Sequence, residues 1–426
     1  MQRPLFAALL ALALGGCATF LPPERDSLNA IARDYVVLQL AIGEGEEGYI
    51  DAFYGDDTLK ARALTLARQS DLPSLRTQVA ALAGRVSAAA AQEPRRAAFL
   101  QAQLKAADTR LRMRAGERLP FADEAEGLFG VRPELKPLSA YDSVLARVEA
   151  LVPGTGSLAE RVEAYQNRFT IPRERLDTVF RTAIAACRTA TVEKIALPPA
   201  ERFSLEFVTD KSWSGYNYYL GDFRSRIEIN TDLPIRLSRA IDLGCHEGYP
   251  GHHVHNVLLE ERLVKGKGWV EFSVYPLYSP QSLIAEGSSN YGIDLAFPGT
   301  RKAAYEAQVL APMAGLAGQD VGRYNRLLDA MRELSTARNT IAQRLLDGEI
   351  DEAEAVRLTQ RYQLVSEARA RQSVNFTKQY RSYVINYNIG REMIARDVER
   401  FAGEAERWKR MEQLLSEPTL PSNLGR

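Results

Sequence analysis

Leu28, Ile31, Tyr35, Leu38 and Ile42 recur at three- and four-residue steps, the spacing of one buried helix face. They predict a helix that starts at Ser27 and ends at the Gly-rich, acidic stretch Gly43 to Gly48. Leu64 to Arg114 is rich in Ala, Leu, Arg and Gln, all strong helix formers, and reads as two long helices turning near Glu93-Pro94. The composition loosens from Ala115 to Pro137, and Pro153-Gly154-Thr155-Gly156 marks a second break. A domain boundary is therefore placed near residue 150, with an N-terminal helical region over 27–150 and a second region over 151–426. After Pro298 the pattern is helical from Arg301 to Leu415.

Period-two alternation is convincing only between Phe203 and Asp232. Phe203 to Val208, the aromatic run Tyr216 to Leu220, and Arg224 to Asn230 predict three strands of a small antiparallel sheet. Asp232 then caps a helix with Pro234 in its first turn, running through Leu237, Ile241 and Leu243 into His246. The expected fold class is mainly α, a helical-bundle-like architecture with a small antiparallel β-sheet beside the helix that enters His246.

Charge narrows the function. The 54 basic and 54 acidic residues balance, and no basic stretch with interleaved aromatics stands out, so nucleic acid is not an expected partner. At the N-terminus, Arg3 precedes an apolar run from Leu5 to Leu14 that is too short to span a bilayer as a mature helix. Leu14-Gly15-Gly16-Cys17 follows and resembles the lipobox of bacterial lipoproteins. That resemblance implies a signal peptide over 1–16, lipidation at Cys17, a tether over 17–26 and attachment to the membrane through the lipid. Ala18 is not the aspartate that retains lipoproteins at the inner membrane, so the expectation is an outer-membrane lipoprotein facing the periplasm. Cys187 and Cys245 remain; they are able to pair in an oxidising compartment, but the simpler expectation is two buried thiols.

All four histidines fall in one run, His246-Glu247-Gly248-Tyr249-Pro250-Gly251-His252-His253-Val254-His255. Imidazole is the commonest protein ligand for zinc, and a His-Glu pair followed by a second His holds zinc beside a general base. In the familiar signature the histidines are four apart on one helix. Here Pro250 at that position would clash with the His246 carbonyl, and Gly251 frees the backbone, so the helix must break and loop out before His252. Glu247 is placed to take a proton from an activated water. No histidine remains for a third ligand, so a carboxylate is needed. Glu286, at the start of an apparent helix, is the best candidate; Glu260 and Glu261 are alternatives in a stretch expected to be solvated. His255 is expected on the helix surface or behind the ligands, and His253 is open between roles.

His246-Glu247-Gly248-Tyr249-Pro250-Gly251-His252-His253 resembles the HExxPGH signature of the bacterial domain-of-unknown-function 885 family, grouped with zincin-like, gluzincin-type metallopeptidases. Gly48 to Gly55, Trp213 to Gly221 and Asn230 to Pro234 are similar to other segments of that family. The resemblance implies His246, His252 and Glu286 as ligands of one Zn2+ and Glu247 as the base. Ser288 and Ser289 depart from the family's Glu-Gly-Trp-Ala motif. Arg381 to Gly390 is similar to a segment with a Tyr three residues before a Gly, which makes Tyr387 the candidate oxyanion donor, with Arg381 behind it and Tyr383 as a competitor one turn earlier. Ile227 to Asn230 is a candidate edge strand for an extended peptide, or simply part of a covering sheet.

The function expected is a zinc metallopeptidase of the cell envelope acting on a peptide or small amide substrate. A zinc hydrolase of another amide or ester and a non-catalytic envelope scaffold are the alternatives. Oligomeric state is not legible in the sequence.

Overall fold

The computed structural model describes residues 27–425; the leader, Cys17 and the tether lie outside the described residues. The chain opens with α1 (Leu28–Glu44), β1 (Ile50–Phe53), α2 (Asp57–Gln69), α3 (Leu72–Ala89), α4 (Pro94–Arg114) and α5 (Phe121–Phe129). Next come α6 (Asp142–Leu151), α7 (Leu158–Asn167), α8 (Leu176–Val192) and three strands, β2 (Arg202–Val208), β3 (Gly215–Gly221) and β4 (Arg224–Asn230). Then follow α9 (Ser238–Glu247), α10 (His252–Leu259), β5 (Val274–Pro276) and α11 (Pro280–Ala296). The remainder is helical: α12 (Arg301–Tyr305), α13 (Ala311–Met313), α14 (Val321–Arg332), α15 (Ala337–Leu346), α16 (Glu352–Gln363), α17 (Glu367–Tyr380), α18 (Ile385–Val398) and α19 (Glu404–Ser416). The fold is mainly α, and no described helix is long and apolar enough to cross a membrane.

Local chemistry sets the helix starts. Ser27, Asp56 and Asp71 each accept a backbone N–H at the start of α1, α2 and α3, and Ser157 and Glu160 form a reciprocal capping box on α7. The predicted face of α1 is buried, and so are Val36, Val37, Leu40 and Ala41, because the helix is surrounded. One hydrophobic core runs from Leu28 through Phe180, Ile241 and Leu283 to Leu415, drawing on both sides of residue 150.

The sheet differs from the expected antiparallel meander. Its order is β2-β4-β3: β3 and β4 are antiparallel, but β2 runs parallel to β4. A two-residue turn with Asp222 and Phe223 both at positive φ closes the β3–β4 hairpin, while the longer β2–β3 link lets β4 take the centre. Ile227 and Ile229 are fully buried there. The segment Ile227 to Asn230 is thus hydrogen-bonded on both sides and has no edge to offer a peptide. A second, unpredicted sheet joins β1 to β5 in antiparallel fashion, Ala52 opposite Tyr275 and Phe53 opposite Val274.

Asp232 does not cap a helix. Its carboxylate accepts from the Asp210 and Lys211 backbone N–H groups; the Ile235 carbonyl accepts from Ile171 and the Leu237 N–H donates to Phe169 before α9 starts at Ser238. Cys187 on α8 and Cys245 on α9 are joined in a disulfide, not left as two thiols. The bond spans a separation of 58 residues and clamps the helix that presents His246. Reduction is expected to cost about 2–4 kcal/mol of stability; a thermal midpoint unchanged by reductant would contradict this.

Candidate metal centre

The helix breaks where Pro250 and Gly251 require it. α9 ends at Glu247, α10 begins at His252, and a Cβ on Gly251 would stand 1.8 Å from the His246 carbonyl oxygen. The break turns His252 back toward His246. Their Nε2 atoms are 3.2 Å apart. Glu286 reaches the same point, its Oε2 3.2 Å from His246 Nε2 and its Oε1 3.7 Å from His252 Nε2. Glu286 sits inside α11 and not at its start; Pro280 occupies the first turn. α11 is pressed against α18 at Gly287, where a Cβ would meet the Gly390 backbone at 2.5 Å.

These separations fit a metal. Bonds of 2.0–2.1 Å in tetrahedral array put ligand atoms about 3.3 Å apart. Glu286 Oε2 is buried and makes no hydrogen bond, so its lone pairs are directed at the common point. Two imidazole nitrogens and a carboxylate oxygen are a donor set suited to zinc and to other divalent ions. Burial pushes the Glu286 carboxyl up, but His252 and His246 beside it more than reverse this and hold it well below the usual range.

Glu247 directly follows His246 and lies outside this triad. Asn217 on β3 donates to the Glu247 backbone carbonyl at 2.8 Å, fixing the end of α9 against the sheet. Burial pushes its carboxyl up to about 8, partly opposed by His252, which suits a group that must accept a proton near neutrality.

The tyrosines divide the work. Tyr383 donates to Glu286 Oε1 at 2.8 Å and so orients the ligand carboxylate; it is not a spare donor. Tyr387 stacks on His246, ring centroids 6.4 Å apart, and its hydroxyl makes no hydrogen bond to a described residue. Arg381 is not behind Tyr387. It pairs with Glu124 of α5, which also accepts from the Ser382 backbone and hydroxyl. Ser288 and Ser289 are fully buried; Ser288 turns back to the Ala285 carbonyl, and Ser289 Oγ has no partner.

The other two histidines are structural neighbours of the triad. His253 is fully buried between Ser225 Oγ, 2.8 Å from Nδ1, and Glu201 Oε2, 3.0 Å from Nε2. Glu201 also accepts from Tyr249 and Arg188. Burial raises its carboxyl, but the hydrogen bonds from His253, Tyr249 and Arg188 bring it down to about 2. This network ties the loop and α10 to the sheet. His255 is not on the helix surface: it is 3% exposed, and neither ring nitrogen makes a well-formed hydrogen bond. Glu260 is not solvated either, since it is buried and accepts from Tyr219 and from the backbone of Asp222 and Phe223. Neither Glu260 nor Glu261 joins the triad.

Burial pushes His255 down to about 3, so the folded state holds it neutral. Its contribution is fully present above an unfolded value near ~6.5 and is lost as pH falls toward the folded value. Metal-free protein is therefore expected to lose roughly 3 kcal/mol from this group between about pH 7 and 4, at about 1.4 kcal/mol per pKa unit. In His255→Leu that part of the acid sensitivity disappears. Parallel loss of stability in both proteins, followed by denaturant titration, would contradict it.

Asp51 on β1 lies within the segment Gly48 to Gly55 and carries no signal of its own in the sequence. It accepts a hydrogen bond from Tyr216, and burial pushes its carboxyl up to about 6. It is close enough to His252, Glu286 and Glu247 to share their field.

No family model and no curated protein matches the chain. Among solved structures, the chain is similar to a protein described as a lipoprotein from Colwellia psychrerythraea, with a TM-score of 0.50 and 16% identity over 86% of this chain. The match covers 61% of that protein's length, and it supports the fold alone. Weaker similarities, each with a TM-score of 0.37, are to an M32 carboxypeptidase from Deinococcus radiodurans (14% identity, 91% of this chain and 89% of that one) and to a protein described as BsuCP (11% identity, 92% and 88%). These two carry no weight for function.

Proposed function

We propose that the chain is a zinc-dependent hydrolase of the bacterial cell envelope that cleaves peptide bonds. The observation that carries this is the convergence of His246, His252 and Glu286 on one point with a buried carboxylate oxygen that makes no hydrogen bond, and Glu247 as the residue next to the first ligand. A divalent ion held there supplies a Lewis acid that acidifies water and polarises a carbonyl.

The chain's own groups do the rest. Glu247 takes the proton from the attacking water and returns it to the leaving amine. Tyr387, kept protonated by burial, donates to the oxyanion that forms. Tyr383 holds Glu286 in place, and the His253–Glu201–Arg188–Tyr249 network holds the loop that presents His252. With β4 at the centre of the sheet, an extended peptide has β3, which carries Asn217 beside Glu247, as the strand next to the reacting groups. Lipidation at Cys17 and an outer-membrane position facing the periplasm belong to the same proposal; a Cys187–Cys245 disulfide suits that oxidising compartment. The test is Glu247→Gln, which removes the base and leaves all three ligands: turnover is lost and metal is kept. A scaffold with a purely structural ion would keep its function.

A further inference from the structure

Arg338 on α15 is a half-buried arginine with no anion beside it among the described residues. Its Nε is buried and bonds to nothing, and among the described residues its guanidinium makes no hydrogen bond or ion pair. What it touches is aromatic: its guanidinium carbon lies 5.0 Å from the Phe376 ring centroid and 6.0 Å from that of Tyr387. Burial pulls the guanidinium below its usual value, yet an arginine does not give up its proton in a protein. Leaving the buried Nε–H donor unpaired is costly. Most other withdrawn arginines here are paired, Arg96 with Glu271 and Arg236 with Glu163 among them.

The position is as informative as the missing partner. Tyr387 is a neighbour of both Arg338 and the metal centre, its ring centroid 6.4 Å from that of His246 and 6.0 Å from the guanidinium carbon. The aromatic stacking fixes the planar fork while leaving its N–H donors for a ligand. An extended chain advances about 3.3–3.6 Å per residue. A carboxylate one or two residues past a bond held over Glu247 and Tyr387 therefore comes within reach of Arg338.

We infer that Arg338 binds the C-terminal carboxylate of the substrate, so that the chain acts as a carboxypeptidase releasing one or two residues from a free C-terminus. This rests on the reading of His246, His252 and Glu286 as a catalytic metal centre. The scissile C–N bond breaks, the water oxygen bonds to the acyl carbon and the two water protons end on the released amine, leaving a carboxylate and an ammonium. Amidated and cyclic chains, and bonds far from a C-terminus, are poor substrates because they leave Arg338 unpaired.

The probe is acetyl-Ala-Ala-Ala-Phe as the free acid and as the C-terminal amide, titrated by calorimetry into zinc-loaded Glu247→Gln protein. The acid binds roughly tenfold or more tightly than the amide. Adding Arg338→Met brings the two within about twofold, and Arg338→Lys retains an intermediate preference. Equal affinity for acid and amide with Arg338 intact, binding of neither, or a preference that survives Arg338→Met overturns the inference. Cleavage separates this from the parent reading. If wild-type protein cuts acid and amide equally well, the peptidase stands and the carboxylate site falls. If no peptide is cut but acid-selective, Arg338-dependent binding persists, the peptidase falls and the carboxylate site stands.

Discussion

Glu247→Gln is expected to lower turnover by about 10²–10⁴-fold, the range for losing a general acid–base, while metal content stays at that of the parent protein. The side chain is not in the ligand triad, and its backbone is held by Asn217 whichever group the side chain ends in. The carboxamide has the same shape and cannot accept the proton. Substrate affinity should change little, so the loss falls on kcat and not on KM. Full activity in the variant would remove Glu247 from the mechanism. Loss of metal would mean that it shapes the site and does not act in the reaction.

The largest expected effect on stability is at Glu271. Arg96 on α4 is 1% exposed and grips Glu271, fully buried, with Nε to Oε1 at 2.5 Å and Nη2 to Oε2 at 3.0 Å. The bond joins the N-terminal helices to the segment that leads into β5, 175 residues later. Glu271→Ala leaves the guanidinium buried beside Trp269 with only Asn29 and the partly exposed Glu93. The expected cost is about 3–5 kcal/mol. Removing both charges, as Arg96→Met with Glu271→Leu, should recover much of it. Denaturant unfolding of the two variants measures this, and a cost under about 1 kcal/mol for Glu271→Ala would contradict the burial argument.

What was legible in the sequence is what local chemistry dictates. The start of α1 at Ser27, its amphipathic spacing and the Pro250-Gly251 break each depend on residues within one or two turns. The histidine run pointed to the candidate metal centre through His246 and His252, while His253 and His255 are buried beside it and take no part in the triad. What was missed depends on partners far along the chain. β1 and β5 are four and three residues long and pair across more than 200 positions, with no alternation to betray either. The sheet order required knowing that β4 would be covered on both sides. Cys187 and Cys245 sit in helical patterns that read as packing until α8 and α9 lie together. Glu260 looks solvated in a charged stretch and His255 is open between the helix surface and a place behind the ligands; only the arrival of β3 over one and α19 over the other buries them. Arg338 has no local signature, since its meaning is that no anion among the described residues reaches it in three dimensions.

The central claim is that His246, His252 and Glu286 hold a metal ion. Elemental mass spectrometry on the mature chain, beside His246→Ala, tests it most directly. The account predicts about one zinc per chain, lost in the variant while the fold is kept. A folded wild-type protein that carries no divalent metal and takes up none from a zinc solution would contradict it.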